Sequence, residues 1–117
     1  MPLPTSHPVP SFAKLDVSIV VPCFNEEAVL AATLERLIRV ATQLALSYEI
    51  VLVDDGSRDG TWKLIQNACT PAQERIRGIR FARNFGHQAA LTAGIEASTG
   101  DQIFIIDADL QDPPELL

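Results

Sequence analysis

The sequence predicts an α/β fold, a doubly wound and mainly parallel sheet with helices on both faces. Three short runs are almost entirely apolar and rich in β-branched residues, which is typical of strands in parallel sheets: Val17–Val21, Ile50–Val53 and Ile103–Ile106. Stretches with helical periodicity separate these runs, so strands and helices alternate along the chain. Such alternation gives right-handed crossovers and a ligand site at the carboxyl ends of the strands.

The strands differ in their predicted burial. The three apolar runs suit strands that are covered on both faces of the sheet. A fourth run, Ile76–Ala82, contains more polar residues and is predicted to lie nearer an edge. Its arginines are predicted to be mainly solvated charges: Arg75, Arg77, Arg80 and Arg83.

The first helix is predicted from apolar residues spaced three and four positions apart between Leu30 and Leu44. Asn25 is predicted to cap it, and Glu26 and Glu27 add negative charge at the positive end of the helix dipole.

Two further helices follow. The second comes after a turn at Asp59 and ends before Pro71, because proline disfavours the helical conformation of the residue before it. The third extends from Gly86 to Thr99, and Gly100 is predicted to close it. Small residues on one face of the third helix predict close packing on the sheet.

One domain is predicted. Residues 1–13 are rich in proline and form a disordered leader, whereas residues 14–117 form the domain, with a further helix beginning near Pro113. Cys23 and Cys69 form no CxxC pair, so both are predicted to be reduced core thiols rather than zinc ligands.

The charge balance limits the class of partner. The chain has 9 basic and 15 acidic residues and a net charge of −6, which argues against nucleic acid because phosphate binding needs a basic surface. A small anion with a bridging metal is compatible with this charge. No run reaches the ~18 apolar residues of a spanning helix, and no secretion signal is recognisable, so a cytoplasmic location is predicted.

Polar residues follow each predicted strand at its carboxyl end. The four clusters are Pro22–Glu27, Asp54–Ser57, Arg83–Gly86 and Asp107–Gln111. Each cluster alone suits a turn or a helix cap. Because the carboxyl ends of parallel strands share one edge, we expect the four clusters to converge there.

The sharpest signal is the pair Asp107 and Asp109. Alternate residues of an extended chain project to the same side, so the two carboxylates can share one divalent cation. The amide oxygen of Gln111 is a third ligand if the extended run continues. Hard oxygen ligands favour Mg²⁺ or Mn²⁺, and such a cation neutralises charge on a departing phosphate group.

Other charged residues at this edge have two interpretations. Asp55, next to Asp54, is interpreted as accepting from a base N–H or a ribose hydroxyl, and we expect its strand to neighbour the strand before Asp107. Glu26 suits a backbone cap and a ribose acceptor equally. Arg83 is interpreted as facing a diphosphate rather than solvent.

Four segments then match a known pattern: VSIVVPCFNEE (17–27), EIVLVDDGSRDGT (49–61), ARNFGHQAALTAGIEASTGD (82–101) and IIDADLQDPPELL (105–117). In this order and spacing they resemble family 2 glycosyltransferases, which have the GT-A fold. The RNFGHQ and DADLQDPPE segments are most similar to the branch that acts on polyprenyl phosphates, which includes dolichyl-phosphate mannose synthase. The resemblance covers residues 17–117.

The resemblance implies a role for each matching position. The residues implied to line the nucleotide pocket are Pro22, Phe24, Asn25, Glu26, Asp54, Asp55 and Arg83. Asp55 would recognise the base. The implied ligands of Mg²⁺ or Mn²⁺ on the diphosphate are Asp107, Asp109 and Gln111, with Asp109 as the catalytic residue.

The resemblance also implies the reaction. A sugar would move from a UDP- or GDP-sugar to a polyprenyl phosphate at a membrane surface, with inversion at the anomeric carbon. Family members are longer, so this chain corresponds to their nucleotide-binding half, and full-length relatives are expected to be membrane-associated on the cytoplasmic face. The sugar, the lipid length and a homo-oligomeric state are left open.

Two alternatives from other classes remain at this point. One is a receiver-like signalling module that holds Mg²⁺ around a phosphorylated aspartate. Such a module needs an acidic pair after its first strand, whereas Pro22 and Cys23 follow the first run here. The other alternative is a nucleotide-binding domain without catalytic activity.

Overall fold

A computed structural model describes residues 15–71 and 75–109. The elements are β1 (Leu15–Cys23), α1 (Leu30–Gln43), β2 (Tyr48–Asp54), α2 (Thr61–Ala68), β3 (Ile76–Arg80), α3 (His87–Ala97) and β4 (Gly100–Ile105). All strand pairs are parallel, and the sheet order is β3-β2-β1-β4. The predicted fold class is confirmed. The leader, Gln111 and the helix near Pro113 lie outside the described residues.

Helices cover both faces of this sheet. Helices α1 and α2 share one apolar core with the sheet, which includes the fully buried residues Ile19, Leu30, Leu37, Leu52 and Ile65. Helix α3 packs on the opposite face, over Val20, Val51, Val53 and its own Ala90. Side chains alternate along a strand, so the continuous apolar runs of β1 and β2 supply both cores.

The small residues of α3 bring this helix close to the sheet, as predicted. A Cβ atom added at Gly94 would lie 2.4 Å from Cγ1 of Val20, so only glycine fits at this distance. The predicted helix-closing role of Gly100 is wrong. Helix α3 ends at Ala97, and Gly100 begins β4, where a Cβ atom would lie 2.6 Å from the backbone nitrogen of Ser18.

The predicted cap of α1 is also wrong. Helix α1 begins at Leu30 and has no side-chain cap. Oδ1 of Asn25 instead accepts from the backbone N–H of Arg58 (2.9 Å), and Oε1 of Glu27 accepts from the N–H of Gly60 (2.9 Å). These side chains therefore connect the β1–α1 loop to the β2–α2 loop, a long-range arrangement that local capping rules do not anticipate.

Strands β3 and β4 are the two edges of the sheet. The predicted edge position of β3 is confirmed. The prediction that β4 is covered on both faces is wrong, since Ile103 and Ile105 are 40% and 43% exposed. The reason is that α3 packs mainly over β1 and β2.

The structure also bears on two predictions drawn from composition. Cys23 is buried and Cys69 is half-buried, and both are free thiols. Within residues 15–71 and 75–109, no helix is both long and apolar enough to cross a membrane.

Glu49 of β2 forms the centre of a buried hydrogen-bond network on the α3 face. Its carboxylate accepts from the hydroxyl of Ser18 (2.5 Å), from the backbone N–H of Thr99 (2.7 Å) and from the guanidinium of Arg77 (2.7 Å). Burial raises the pKa of Glu49, but these donors outweigh burial and the pKa lies below its usual value. Arg77 is therefore not simply a solvated charge, contrary to the prediction.

The other arginines of this region are exposed, as predicted, and each also lies over an aromatic ring. The pairs are Arg75 with Tyr48, Arg80 with Trp62 and Arg83 with Phe85. Such stacking is attractive because the ring face carries partial negative charge.

Replacing Glu49 with alanine is expected to lower the free energy of unfolding by about 2–4 kcal/mol at pH 7, because several buried donors lose their acceptor. Urea denaturation measures this change. The matched control is Glu35→Ala, since the Glu35–Arg39 pair is exposed and its atoms are 3.9 Å apart. It should change stability by less than ~0.5 kcal/mol, and equal effects of the two variants would contradict the assignment.

The Glu49 contribution has a defined pH dependence. A carboxyl whose pKa is lowered by folding stabilises the folded state above its unfolded pKa. This stabilisation is lost as the pH falls through the lowered pKa of the folded state. The stability difference between wild type and Glu49→Ala should therefore shrink in acid.

Candidate functional site

A cavity of about 310 Å³ lies at the carboxyl ends of the strands. Six of the residues predicted for the site line it: Pro22, Phe24, Glu26, Asp55, Asp107 and Asp109. Pro22 lies at the end of β1, and the other five residues follow β1, β2 or β4. These six residues therefore bring three of the four polar clusters together. The fourth cluster contributes Asn84 and Gly86 from the loop between β3 and α3.

Asp55 and the acidic pair face the same cavity although their strands are not neighbours. The expectation of adjacent strands is wrong, because β1 lies between β2 and β4. The chain after β1 supplies Phe24 and Glu26 to the space between the two acidic sites. The segment after β1 therefore lies between the carboxylate of Asp55 and the carboxylates of Asp107 and Asp109.

The other predicted residues lie around this cavity in different positions. Asn25 and Arg83 line a second cavity of about 500 Å³, which shares Phe24 and Asn84 with the first. Asp54 lines neither cavity. It is fully buried, and its Oδ1 accepts from the backbone N–H of Ser57 (3.1 Å).

Asp54 has one further feature. Its Oδ2 is buried and has no hydrogen-bond partner among the described residues. Asp54 pairs in register with Cys23 of β1, and the two side chains share the face that carries α1 and α2. Burial raises the pKa of the Cys23 thiol, with smaller contributions from the charges of Glu26 and Asp54, so this thiol stays protonated at neutral pH.

Glu26 lies in a strongly negative part of the first cavity. Burial raises the pKa of its carboxyl, and the charges of Asp109, Asp107 and Asp59 raise it further. Because α1 has no side-chain cap, the capping interpretation of Glu26 is wrong. Its carboxylate instead faces the acidic pair across the cavity.

The negative field at Glu26 gives a pH-dependent prediction. A carboxyl whose pKa is raised by folding binds its proton more tightly in the folded state, so the free energy of unfolding falls as pH rises above the unfolded pKa. Glu26→Gln removes this cost and should stabilise the protein at pH 7 by a few tenths of a kcal/mol, because the partly exposed charge is screened.

Urea denaturation at pH 4 and pH 7 measures this difference. The gain from Glu26→Gln should be smallest at pH 4. A variant that is less stable than wild type at pH 7 would show that Glu26 makes a net favourable contact instead.

The carboxylate oxygens at the cavity suit a hard divalent cation such as Mg²⁺ or Mn²⁺. In the described part of the chain, no three His, Cys, Asp or Glu side chains are grouped to hold a metal ion. Four carboxylates line the cavity, and two of them, Asp107 and Asp109, stand on the same turn after β4. Such a pair suits Mg²⁺ or Mn²⁺ that completes its shell with water and phosphate oxygens, and it does not suit a structural site closed by four protein ligands.

Helix α1 contacts the turn that carries Asp107 and Asp109, which we call the acidic turn. The hydroxyl of Thr33 donates to the backbone carbonyl of Ala108, between the two aspartates. Both Thr33 and Ala108 are buried. The backbone N–H of Ile106 donates to the carbonyl of Val20 (3.0 Å) and continues the β1–β4 pairing to the edge of the cavity.

The sequence predictions did not select six residues that line the first cavity: Cys23, Asn84, Gly86, His87, Ala90 and Ala108. Asn84, Gly86 and His87 belong to one segment at the start of α3, and their place directly after a predicted strand was the available signal. His87 is exposed at the cavity. Ala108 lies between the two predicted aspartates, within the predicted polar cluster, whereas the lining by Ala90 depends on the packing of α3 and has no sequence signal of its own.

Comparison with known proteins identifies the family. Residues 18–117 match the sequence profile described as glycosyl transferase family 2. The chain belongs to glycosyl transferase family 2. This membership excludes the receiver-like alternative.

Curated relatives of this family 2 chain are similar over most of its length. It is 46% identical over 99 residues to undecaprenyl-phosphate 4-deoxy-4-formamido-L-arabinose transferase of Aeromonas hydrophila, covering 85% of this chain and 30% of the relative. The same description applies to a relative from Pseudomonas fluorescens, 44% identical, with 85% of this chain and 29% of the relative covered. The chain thus spans about a third or less of the length of these relatives.

Solved structures of glycosyltransferases share the fold of this family 2 chain. A mannosyltransferase from Pyrobaculum calidifontis in complex with GDP-Man and Mn²⁺ has a TM-score of 0.72 and 24% identity, covering 86% of this chain and 34% of that protein. TarS from S. aureus in complex with UDP-GlcNAc has a TM-score of 0.67 and 20% identity, with coverages of 81% and 27%. These similarities establish the GT-A type of fold.

Proposed function

We propose that this chain is the donor-binding part of a glycosyltransferase that moves a sugar from a UDP- or GDP-sugar to a polyprenyl phosphate at a membrane surface. The observation that carries the proposal is the single cavity in which Asp55 and Glu26 face the Asp107–Asp109 pair. Relatives described as undecaprenyl-phosphate transferases support the acceptor. Similar folds solved with GDP-Man and UDP-GlcNAc support the donor.

The proposed donor site divides into two parts. The nucleoside lies against Pro22 and Phe24 and extends toward the second cavity, where Asn25 and Arg83 are available to it. The diphosphate would lie toward Asp107 and Asp109, which would hold Mg²⁺ or Mn²⁺, with Gln111 as the further ligand that the resemblance implies. When bound, this cation neutralises the charge that develops on the departing diphosphate.

The proposed reaction is a single displacement with inversion. An oxygen of the lipid phosphate forms a bond to the anomeric carbon as the bond from that carbon to the nucleoside diphosphate breaks. A phosphate oxygen is already negatively charged at neutral pH, so the step needs no strong general base. The chain's task is to hold the donor so that its anomeric carbon is open to the acceptor.

Isothermal titration with UDP, GDP and their sugars, with and without Mn²⁺, tests this proposal. We expect at least one nucleotide to bind, with higher affinity when Mn²⁺ is present. Sugar transfer to added polyprenyl phosphate separates an enzyme from a nucleotide-binding domain without catalysis. Absence of nucleotide binding by folded protein under both metal conditions would reject the donor site.

A further inference from the structure

Three consecutive backbone N–H groups of the β1–α1 loop donate to side chains that follow β2. The bonds join the N–H of Asn25 to Oγ of Ser57 (2.8 Å), of Glu26 to Oγ1 of Thr61 (2.9 Å) and of Glu27 to Oδ2 of Asp59 (3.2 Å). Asn25 has φ of +54°, in the sparsely populated left-handed region. Such a conformation persists only where surrounding contacts enforce it, so these bonds give the loop its shape.

Thr61 is the only one of these three acceptors that is fully buried, and it is the first residue of α2. Its hydroxyl donates its hydrogen to Oδ1 of Asp59. A lone pair of the same hydroxyl oxygen is therefore directed at the backbone N–H of Glu26. The backbone N–H of Thr61 also donates to Oδ1 of Asp59 (2.9 Å), which fixes the two residues relative to each other.

The charge of Asp59 gives this chain of hydrogen bonds one direction. Burial raises the pKa of Asp59, but the bonds from Thr61 and from the backbone N–H of Glu27 outweigh burial, and the pKa lies below its usual value. An ionised carboxylate can only accept hydrogen bonds. The Thr61 hydroxyl must therefore donate to Asp59, and its oxygen remains an acceptor for the N–H of Glu26.

The segment that these bonds hold lines both cavities at the carboxyl edge of the sheet. Phe24 and Glu26 line the first cavity, and Phe24 and Asn25 line the second. The ring of Phe24 is 44% exposed, so one side of it is open to a ligand. Thr61 lines neither of these cavities. Its hydroxyl therefore contacts the loop from the side that faces away from a bound donor.

We infer that Thr61 is a positioning residue, whose hydroxyl, directed by Asp59, holds residues 24–26 in the conformation that receives the nucleoside of the donor. This inference rests on the proposed donor site. Its consequence is specific: loss of the hydroxyl should weaken nucleotide binding, because Phe24 is no longer held in place, and should leave the effect of the cation unchanged. The Asp107–Asp109 pair follows a different strand and has no bond to Thr61.

The test compares wild type with Thr61→Val and Thr61→Ser. Valine has nearly the shape of threonine but no hydroxyl, whereas serine keeps the hydroxyl. In Thr61→Val, hydrogen exchange of the Glu26 amide in ligand-free protein should become about tenfold faster. Isothermal titration with UDP and GDP should show about tenfold weaker binding of the nucleotide that wild type binds, with an unchanged ratio of the affinities measured with and without Mn²⁺. Thr61→Ser should restore both exchange and affinity.

Two further variants keep the test decisive. Asp59→Ala removes the acceptor that directs the Thr61 hydroxyl, and Asp59 is exposed, so this variant tests the same contact if Thr61→Val fails to fold. It should speed exchange at Glu26 and weaken nucleotide binding, although loss of a negative charge alone would favour a diphosphate. Thr92→Val is the matched control, since Thr92 is exposed on α3 and its hydroxyl donates to the carbonyl of Gln88 (3.0 Å). It should change neither measurement.

Each result has one meaning. Unchanged exchange at Glu26 in Thr61→Val and Asp59→Ala would overturn the inference. Lower thermal stability with unchanged nucleotide affinity would also overturn it, because Thr61 would then support the fold alone. Weaker binding that Thr61→Ser fails to restore would do the same, since the hydroxyl would not be the group responsible. A wild type that binds neither nucleotide would instead reject the proposed function, while the exchange data would still decide the loop contact.

Discussion

Gly56→Ala is expected to lower the free energy of unfolding by at least about 3 kcal/mol, which is among the larger effects of a single substitution. Two causes act together. Gly56 has φ of +73°, a conformation that costs a residue with a Cβ atom about 1–2 kcal/mol. The added Cβ would also lie 2.3 Å from the carbonyl carbon of Arg83 and 2.4 Å from the backbone nitrogen of Asn84, and neither backbone atom can move without shifting the loop between β3 and α3.

Gly86→Ala separates these two causes. Gly86 has φ of +107°, but an added Cβ would meet no atom within 4 Å. This variant should therefore show the conformational cost alone, about 1–3 kcal/mol. Urea denaturation of both variants makes the comparison. Equal losses would show that the loop gives way at no cost and that the close approach of Gly56 contributes nothing.

Asp109→Ala is expected to remove the dependence of nucleotide affinity on Mn²⁺. The substitution removes one carboxylate of the Asp107–Asp109 pair at the cavity. Replacing a residue that only supports a metal ligand already lowers metal affinity by about 10–100-fold. The gain in UDP or GDP affinity on addition of Mn²⁺ should fall by at least about tenfold. Isothermal titration at several Mn²⁺ concentrations measures it.

The matched control for this loss is Asp101→Ala. Asp101 is an exposed aspartate in β4, on the same strand as the acidic turn, and it does not line the first cavity. This control removes the same charge and should keep the Mn²⁺ effect. Retention of the full Mn²⁺ effect in Asp109→Ala would remove Asp109 from the proposed metal site while leaving the proposed nucleotide pocket to be judged on its own binding data.

The fold was predictable because the strands carry a strong local signal. The continuous apolar runs at 17–21 and 50–53 became the two central strands, and the arginine-rich run from Ile76 became an edge. The partial exposure of β4 was not predictable, because its run is as apolar as the runs of β1 and β2. Its exposure follows from the position of α3, which packs mainly over β1 and β2 and comes close to Val20 and Val53 at Gly94.

The site was predictable in its location and less so in its details. Chain topology alone places residues that follow parallel strands at one edge, and this accounts for the meeting of Asp55 with Asp107 and Asp109. The partners of each side chain come from distant segments, which no local rule identifies. Asn25 and Glu27 resemble caps of the next helix in sequence, yet they bind the loop before α2.

The bond from Thr33 to the carbonyl of Ala108 has a consequence for protein engineering. Residue 33 belongs to a helix outside the lining of the first cavity, yet its hydroxyl holds the backbone between the two acidic side chains. Substitutions at Thr33 would therefore alter the backbone between Asp107 and Asp109, the ligands of the proposed cation, without replacing any residue that lines the first cavity. The helix that packs beneath the proposed site is thus a second place, besides the cavity lining, at which that site can be changed by substitution.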